Sequence, residues 1–138
     1  MRRIDQKKLY RVIDANLNRA KEGLRVCEDI CRFLHNHRSL TERYKNLRHE
    51  LTAIVARLRL AELIKSRNVA GDVGRTSNPV EYKRKNFADL FYANSQRAKE
   101  SIRVLEEFAK LVNSRLAERL KRLRYQLYIL ERQIVGKM

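Results

Sequence analysis

Residues 15–28 read ANLNRAKEGLRVCE, and residues 93–106 read ANSQRAKESIRVLE. Nine of the fourteen positions are identical in the two segments, and six of those nine are polar. The apolar positions have changed instead, since Leu17 corresponds to Ser95 and Cys27 corresponds to Leu105. A duplicated helix that served packing alone would keep its apolar stripe and let its polar surface vary. The pattern therefore predicts a duplicated helix whose retained polar side chains form a site with two-fold character.

Apolar residues around the first segment follow helical spacing. They recur in steps of three and four residues, which predicts an amphipathic helix that buries one side. The stripe comprises Ile13, Leu17, Ala20, Leu24, Cys27, Cys31 and Leu34. Ser39 and Glu42 have the spacing of a capping box, which predicts the start of a second helix. We expect that helix, or a short extension of it, to reach Ile64.

The second half of the chain repeats this arrangement. A capped turn is expected from Asn78 and Pro79 to Tyr82, followed by a long helix that ends near Val112. The expected caps of the last two helices are Asn86, and Asn113 or Ser114. LRHEL at 47–51 corresponds to LRYQL at 123–127, so the duplication covers whole helical hairpins. The predicted fold is all-α: a four-helix bundle of two hairpins (about 4–66 and 79–138) with one central loop, in a single domain 1–138.

Composition supports this fold and restricts the function. The 138 residues include one proline and four glycines, which favours long helices around one core. The net charge of +16 attracts polyanions and phosphorylated small molecules. Because this charge is interleaved with Glu, a nucleic-acid-binding module is only an alternative, and we consider nucleic acid an unlikely partner. No apolar run approaches the roughly 20 residues of a membrane span, and MRRIDQKKLYR lacks a signal-peptide core. We expect a cytoplasmic protein without a membrane partner.

The retained polar residues suggest an anion site. At about 100° per residue, Asn16 and Arg19 fall inside the predicted buried sector and Glu22 falls at its edge. A buried Arg is costly unless it is paired or bound to an anion. One interpretation is a phosphate site in which Arg19 binds oxygens bidentately and Glu22 orients it or holds a metal ion. The other is an internal Asn–Arg–Glu network in a non-catalytic assembly bundle. The same holds for the counterparts Asn94, Arg97 and Glu100.

Other polar residues carry weaker signals. Arg25, Arg103 and Glu28 are expected to form surface ion pairs. In the AGDVG loop (70–74), the carboxylate of Asp72 could bind Mg²⁺, while the two glycines admit a phosphate to the backbone. An ordinary turn capped by this Asp explains the loop equally well. Donors that flank the loop are Arg67, Arg75 and Thr76.

Cysteine and histidine supply no clear catalytic group. Cys27, Cys31 and His35 follow at intervals of four, a spacing compatible with a metal site. Both cysteines lie on the apolar stripe, so we favour simple core packing. His49, next to Arg48, is a weak site candidate, and no Ser-His-Asp arrangement is evident.

Taken in order, these motifs resemble those of a known family. They are DANLNRAKEGLRVCEDICRF, LRHEL, AGDVG, N-x-x-R-x-x-E-x-x-R-V-L-E-E-x-x-K and LRYQLYILE, between about Ile4 and Ile134. The chain resembles the alternative, non-ribokinase type of hydroxymethylpyrimidine phosphate kinase. That family is an all-helical domain found at the N-terminus of some bacterial thiamine-phosphate synthases and also as a stand-alone protein.

The resemblance implies ATP-dependent phosphorylation of 4-amino-5-hydroxymethyl-2-methylpyrimidine phosphate to the diphosphate used in thiamine synthesis, with Mg²⁺ as cofactor. Our hypothesis assigns Arg19, Arg97 and Asp72 to catalysis, and Asp72 with Glu22 or Glu100 to Mg²⁺. The positions that match motifs and are assigned to substrate and nucleotide are Asn16, Glu22, Arg25, Arg48, Arg67, Asn94, Glu100 and Arg103.

The chain departs from the family in two respects. The family loop often begins Arg-Asp, whereas Asn68 follows Arg67 here, which weakens any carboxylate role at position 68. The barrel domain that forms thiamine phosphate is missing, so we expect the chain not to join the thiazole and pyrimidine rings by itself. A homodimer is a further expectation, because small bundles with much apolar surface often pair.

Overall fold

A computed structural model describes residues 2–138, without the side chain of Ile4. In this part of the chain there are five α-helices: α1 (Arg3–Asp29), α2 (Arg38–Val55), α3 (Leu60–Lys65), α4 (Phe87–Ala109) and α5 (Ser114–Val135). A π-helical turn, Ile30–Leu34, continues α1, and a 3-10 turn, Pro79–Tyr82, lies in the segment before α4. The all-α prediction is confirmed. Among these residues, none of the helices combines the length and apolar character that a membrane crossing requires.

Three of the predicted caps are confirmed. The side chain of Asn78 accepts a hydrogen bond from the backbone N–H of Val80 at 3.0 Å. The side chains of Asn86 and Asn113 accept backbone N–H groups at 2.9 and 2.8 Å. These side chains satisfy N–H groups that a helix leaves without an internal partner, so they fix where each helix starts.

The start of α2 was predicted wrongly. The cap is His37, whose Nδ1 accepts the backbone N–H of Leu40 at 3.2 Å, rather than Ser39. The π-helical turn and Asn36, with a left-handed φ of 49°, reverse the chain early and bring the imidazole to the helix end. Helical structure reaches Ile64 as predicted, in a separate short helix, α3, after α2 ends at Val55. The last turn of α4 differs, since this helix ends at Ala109, before Val112.

The four long helices close into a ring in which α1 packs on α2 and α4, and α5 packs on α4 and α2. The apolar stripes of all four helices form one core. The contact between α1 and α4 is the most extensive of these. A Cβ atom at Gly23 would lie 2.7 Å from the carbonyl oxygen of Asn94, so glycine permits the close approach of these helices.

α1 and α4 run antiparallel. Gly23 lies against Ala98, whereas Cys27, one turn later in α1, lies within the field of Glu131. Glu131 is hydrogen-bonded to Ser95, about one turn earlier in α4 than Ala98. The sequence counterparts of Gly23 and Ala98 are Ser101 and Ala20, and both are buried, which fits an approximate two-fold relation between the halves.

Candidate functional site

The retained polar residues of α1 form one continuous row, which we call the α1 ridge: Asn16, Arg19, Glu22, Arg25 and Glu28. Each step of three residues turns back about 60° around the helix, so the ridge winds from the α4 side of α1 to the α2 side. Both ends are buried and the three middle residues are exposed. The side chain of Asn16 turns back to its own helix, where it donates to the carbonyl of Val12 at 2.9 Å.

The corresponding row on α4, the α4 ridge, has the same layout: Asn94, Arg97, Glu100, Arg103 and Glu106. Asn94 donates to the backbone carbonyl one turn earlier at 2.8 Å, as Asn16 does. The three middle residues are exposed, and the terminal Glu106 is buried. The two halves therefore keep a whole three-dimensional pattern.

The buried ends of the ridges are ion pairs within each hairpin. Glu28, only 2% exposed, accepts from Arg48 Nε at 3.1 Å and from Arg25 Nη1 at 3.3 Å. The prediction of Glu28 as a surface residue was wrong, because α2 covers that side of α1. Both partners belong to the predicted site, and their expected contact with substrate stays a prediction.

The second hairpin has the equivalent ion pair. Glu106 accepts from Arg124 Nε at 2.9 Å and from Arg103 Nη1 at 3.4 Å. The hydrogen bond from Arg124 to Glu106 raises the pKa of this arginine, so it stays charged. Glu106 and Arg124 were not predicted as site residues. They are identical to the corresponding Glu28 and Arg48 of the first half, and this identity was a signal that could have identified them.

Arg19 and Arg97 are not buried, contrary to the prediction. The buried side of α1 is narrower than predicted, since the apolar residues next to Arg19 on the helical wheel are not core residues: Phe33 is 63% exposed and Val26 is only partly buried. Within the described residues, no carboxylate lies within 4.0 Å of either guanidinium. The internal network that would lock the hairpins through these two arginines is therefore absent from this part of the chain.

The two ridges begin at the same helix contact. Arg19 precedes Gly23 by four residues, and Arg97 precedes Ala98 by one. With about 1.5 Å of rise per residue in antiparallel helices, the two arginines are only about 7 Å apart along the bundle axis. Both arginines are exposed, so they lie on the solvent side of the two helices at this contact. Two uncompensated guanidiniums at this spacing suit a ligand with several phosphate oxygens.

The exposed carboxylates of the ridges are Glu22 and Glu100. In the described part of the chain, Glu100 accepts a hydrogen bond from Gln96 at 2.9 Å. The predicted third carboxylate, Asp72, caps its own turn by accepting from the N–H of Gly74 at 2.9 Å. These residues do not gather into a group of three metal-type ligands among the described residues.

Arg67 anchors the segment that precedes α4. Its Nε and Nη2 donate to the two carboxylate oxygens of Asp14 at 2.6 and 3.0 Å, and the hydrogen bond to Asp14 raises the pKa of this arginine. Arg11 donates to the carbonyl of Asn68 at 3.2 Å. The role of Asp14 as the partner of Arg67 was not predicted, because no local sequence pattern links two residues that are 53 positions apart. The connecting segment is thus fixed to α1 where it begins.

Two clefts lie beside the ridges. The α1–α2 cleft, about 550 Å³, is lined mainly by cationic side chains, namely Arg25, Arg32, Arg38, Lys45 and Arg48, around Glu28. The α4–α5 cleft, about 400 Å³, is lined by Gln96, Lys99, Glu100, Arg103, Arg124 and Tyr128. Each cleft therefore contains the inner part of one ridge.

The cysteines belong to the core, as favoured above. Cys27 and Cys31 are fully buried, and burial raises the pKa of Cys31 to about 11 and that of Cys27 further. A thiol that stays protonated at neutral pH is a poor nucleophile. The weak candidate His49 is exposed on α2.

Comparison with known proteins gives a consistent result. A family model described as the ThiD2 family matches residues 11–133. A protein of Nostoc punctiforme named thiamine-phosphate synthase is 41% identical over 132 residues, which are 95% of this chain and 36% of that protein. Proteins of the same name from Rhodopirellula baltica and Thermosynechococcus vestitus are 37% and 41% identical, over 100% and 92% of this chain and 37% and 35% of theirs.

The chain thus spans about a third of the length of these curated relatives. No solved structure gives a significant match. The matched region includes both ridges, both clefts and the connecting segment. On this coverage, the chain belongs to the ThiD2 family.

Proposed function

We propose that this chain is an ATP-dependent kinase of thiamine biosynthesis that converts 4-amino-5-hydroxymethyl-2-methylpyrimidine phosphate to the diphosphate. The observation that carries the proposal is the pair of exposed arginines, Arg19 and Arg97, at the α1–α4 contact, neither of which has a carboxylate within 4.0 Å among the described residues. Family membership and the printed name of the relatives support the pathway.

The available residues suit this reaction. The attacking group is a phosphate that is already ionised, so the reaction needs no strong general base. Phosphoryl transfer then depends on positioning and on neutralising charge around the transferred group. Arg19 and Arg97 would bind phosphate oxygens bidentately. Arg25 and Arg103, the next arginines of each ridge, are half-exposed and would extend the positive surface.

The ridge carboxylates also suit the magnesium ion that accompanies ATP. Mg²⁺ is usually bound through one or two carboxylates together with substrate phosphates, and rarely by a cage of protein ligands. Glu22 and Glu100 offer exposed carboxylates, and Asp72 keeps one carboxylate oxygen free of its turn. When bound, the ion neutralises charge on the phosphate oxygens.

The name of the relatives describes proteins about three times as long as this chain. For residues 1–138 we propose the kinase step only. The condensation of the pyrimidine with a thiazole is therefore not assigned to these helices.

³¹P NMR on the purified chain with the pyrimidine phosphate, ATP and Mg²⁺ tests the proposal. We expect a new pair of diphosphate resonances together with ADP. Arg97→Ala should abolish turnover and keep the circular dichroism of the wild type, because Arg97 is exposed and forms no ion pair with the residues that the structure describes. Arg132→Ala, on the exposed surface of α5, is the matched control and should remain active.

The two parts of the proposal can fail separately. If the wild-type chain leaves ATP intact with several divalent metals, the kinase assignment is wrong. In that case, tight and salt-dependent duplex binding would favour the nucleic-acid alternative. If Arg97→Ala keeps full activity, the kinase assignment stands but the ridges are not its phosphate site.

A further inference from the structure

The two halves of the chain differ beside the clefts, although the ridges match. Where the first half has Thr52 and His49, the second half has two tyrosines. Two apolar positions of the first half, Leu17 and Val55, correspond to a serine and a glutamate. The second-half residues at these four positions are Tyr128, Tyr125, Ser95 and Glu131. Of these four, Tyr128 lines the α4–α5 cleft, so this cleft has a tyrosine where the first half has Thr52.

The aromatic groups form an accessible surface that is already oriented. Tyr125 and Tyr128 are 51% and 40% exposed, with ring centroids 5.8 Å apart. Arg124 donates to the hydroxyl of Tyr128 at 3.1 Å, and Lys99 Nζ lies 5.7 Å from its ring centroid. These contacts hold the ring of Tyr128 in one orientation while much of it remains open to solvent. An aromatic ring fixed in this way is a suitable platform for stacking a heteroaromatic base.

The polar groups lie beside this surface. Glu131 accepts from Lys99 Nζ at 2.9 Å and from the hydroxyl of Ser95, which is 1% exposed. Nearby Tyr44 is fully buried, and its hydroxyl has no hydrogen-bond partner among the described residues. Glu131 is only partly buried and holds Lys99, which lines the α4–α5 cleft, so these contacts fix the position of a cationic lining group next to Tyr128.

We propose that the α4–α5 cleft binds the ring of a phosphorylated aminopyrimidine. The ring stacks on Tyr128, its hydrogen-bonding edge faces Gln96 and Lys99, and its phosphate meets Arg103, which is half-exposed in the same cleft. This inference rests on the proposed function, because both proposed substrates contain an aminopyrimidine: the pyrimidine phosphate itself, and ATP through its adenine. Among its described lining residues, the first-half cleft has no tyrosine; its one ring, that of His37, caps α2, and five cationic side chains surround it, so it is not an equivalent ring site.

Binding measurements with each ligand alone test this assignment. Titration calorimetry would use the pyrimidine phosphate in one series and ATP with Mg²⁺ in the other. For the ligand whose ring occupies the cleft, Tyr128→Leu should raise Kd about tenfold, because stacking is lost. Tyr128→Phe keeps the ring and should change Kd less than about threefold. Thr52→Leu introduces the same residue at the two-fold counterpart and should leave both Kd values unchanged.

The ligand whose affinity falls in Tyr128→Leu is the one whose ring occupies the cleft, either the pyrimidine phosphate or ATP. The proposal is overturned if Tyr128→Leu binds both ligands as the wild type does, if Thr52→Leu weakens binding equally, or if the wild type binds neither ligand. These outcomes are separate from the kinase test. If the wild type binds a ligand but shows no turnover, the kinase proposal is wrong and the ring site in the α4–α5 cleft stands. If Tyr128→Leu turns over with unchanged KM values, the kinase proposal stands and the ring site is wrong.

Discussion

Replacing Arg124 by leucine should destabilise the bundle far more than replacing any exposed arginine. Glu106 is 3% exposed and relies on Arg124 for its closest ionic contact, at 2.9 Å. The substitution keeps an apolar side chain of useful size at the α4–α5 contact. It leaves the carboxylate of Glu106 buried with Arg103 alone, at 3.4 Å.

The expected loss can be estimated from this geometry. Removing one partner of a buried ion pair costs about 3–5 kcal/mol, because the remaining charge is uncompensated. Arg103 is 53% exposed and compensates part of the charge, so we expect the lower end, about 3 kcal/mol. For a domain of this size, that loss corresponds to a decrease in Tm of about 10 °C. Arg122→Leu is the matched control: its ion pair with Glu118 is solvent-exposed and contributes about 0.5 kcal/mol or less.

Urea unfolding followed by circular dichroism at 222 nm measures both variants. The double variant with leucine at positions 106 and 124 should recover most of the loss, since neither charge is then left alone in the interior. A loss for Arg124→Leu no larger than that of Arg122→Leu would refute the reasoning. It would mean that Glu106 is effectively solvated and that the inner ends of the ridges do not hold the hairpins together.

Two further predictions concern packing and alkaline pH. Gly23→Ala should lower the free energy of unfolding in urea by about 1–3 kcal/mol, because the new methyl group would lie 2.7 Å from the backbone oxygen of Asn94. Gly136→Ala is the control and should be close to neutral, because its nearest atom would lie 3.6 Å away. Burial raises the pKa of Cys31 to about 11 and raises the pKa of Tyr44 above its usual value by more. A group whose pKa is raised by folding stabilises the fold below its pKa in the unfolded chain. It loses that contribution as the pH rises through its pKa in the folded protein. The free energy of unfolding should therefore fall between about pH 9 and pH 11. Absorbance at 295 nm should show that one of the six tyrosines ionises only when the protein unfolds. Reversible ionisation of all six tyrosines in the folded protein would contradict this prediction.

Local signals in the sequence were sufficient for most of the fold. Helix starts at Asn86 and Asn113 were predicted because an Asn cap acts on N–H groups two or three residues away. The start of α2 was predicted two residues late because no sequence signal indicated the π-helical turn at the end of α1, which reverses the chain early and makes His37 the cap instead of Ser39. The retained polar residues likewise identified both ridges, since a repeat is visible without any knowledge of contacts.

The orientation of those residues was harder to predict. A helical wheel gives the angle of Arg19 but does not say which neighbouring helix covers that angle. If Phe33 is counted as a core position, the apolar sector of α1 extends to Arg19, but Phe33 is 63% exposed and that side of the helix faces solvent. Glu28 lies beyond the opposite edge of the sector, on the side that α2 covers. Pairs such as Asp14 with Arg67 depend on where α3 lies against α1, which no local pattern specifies. Positions of the ridges along the chain were thus predictable, whereas their burial depended on the packing of four helices.

The two ridges are equivalent whereas the two clefts are not, and this combination suits a ligand that consists of phosphates and a heteroaromatic ring. A chain of phosphates presents similar oxygens in every direction, so two symmetry-related arginines such as Arg19 and Arg97 can bind it from both sides. A heteroaromatic ring has distinct faces and edges, and it needs one site with a defined aromatic surface and defined hydrogen-bond groups. Selection on such a ligand would keep Asn, Arg and Glu identical in both copies while Tyr128 and Glu131 diverged from Thr52 and Val55. A bundle that served assembly alone would have a reason to keep the buried ion pairs of Glu28 and Glu106, but none to keep the exposed Arg19 and Arg97.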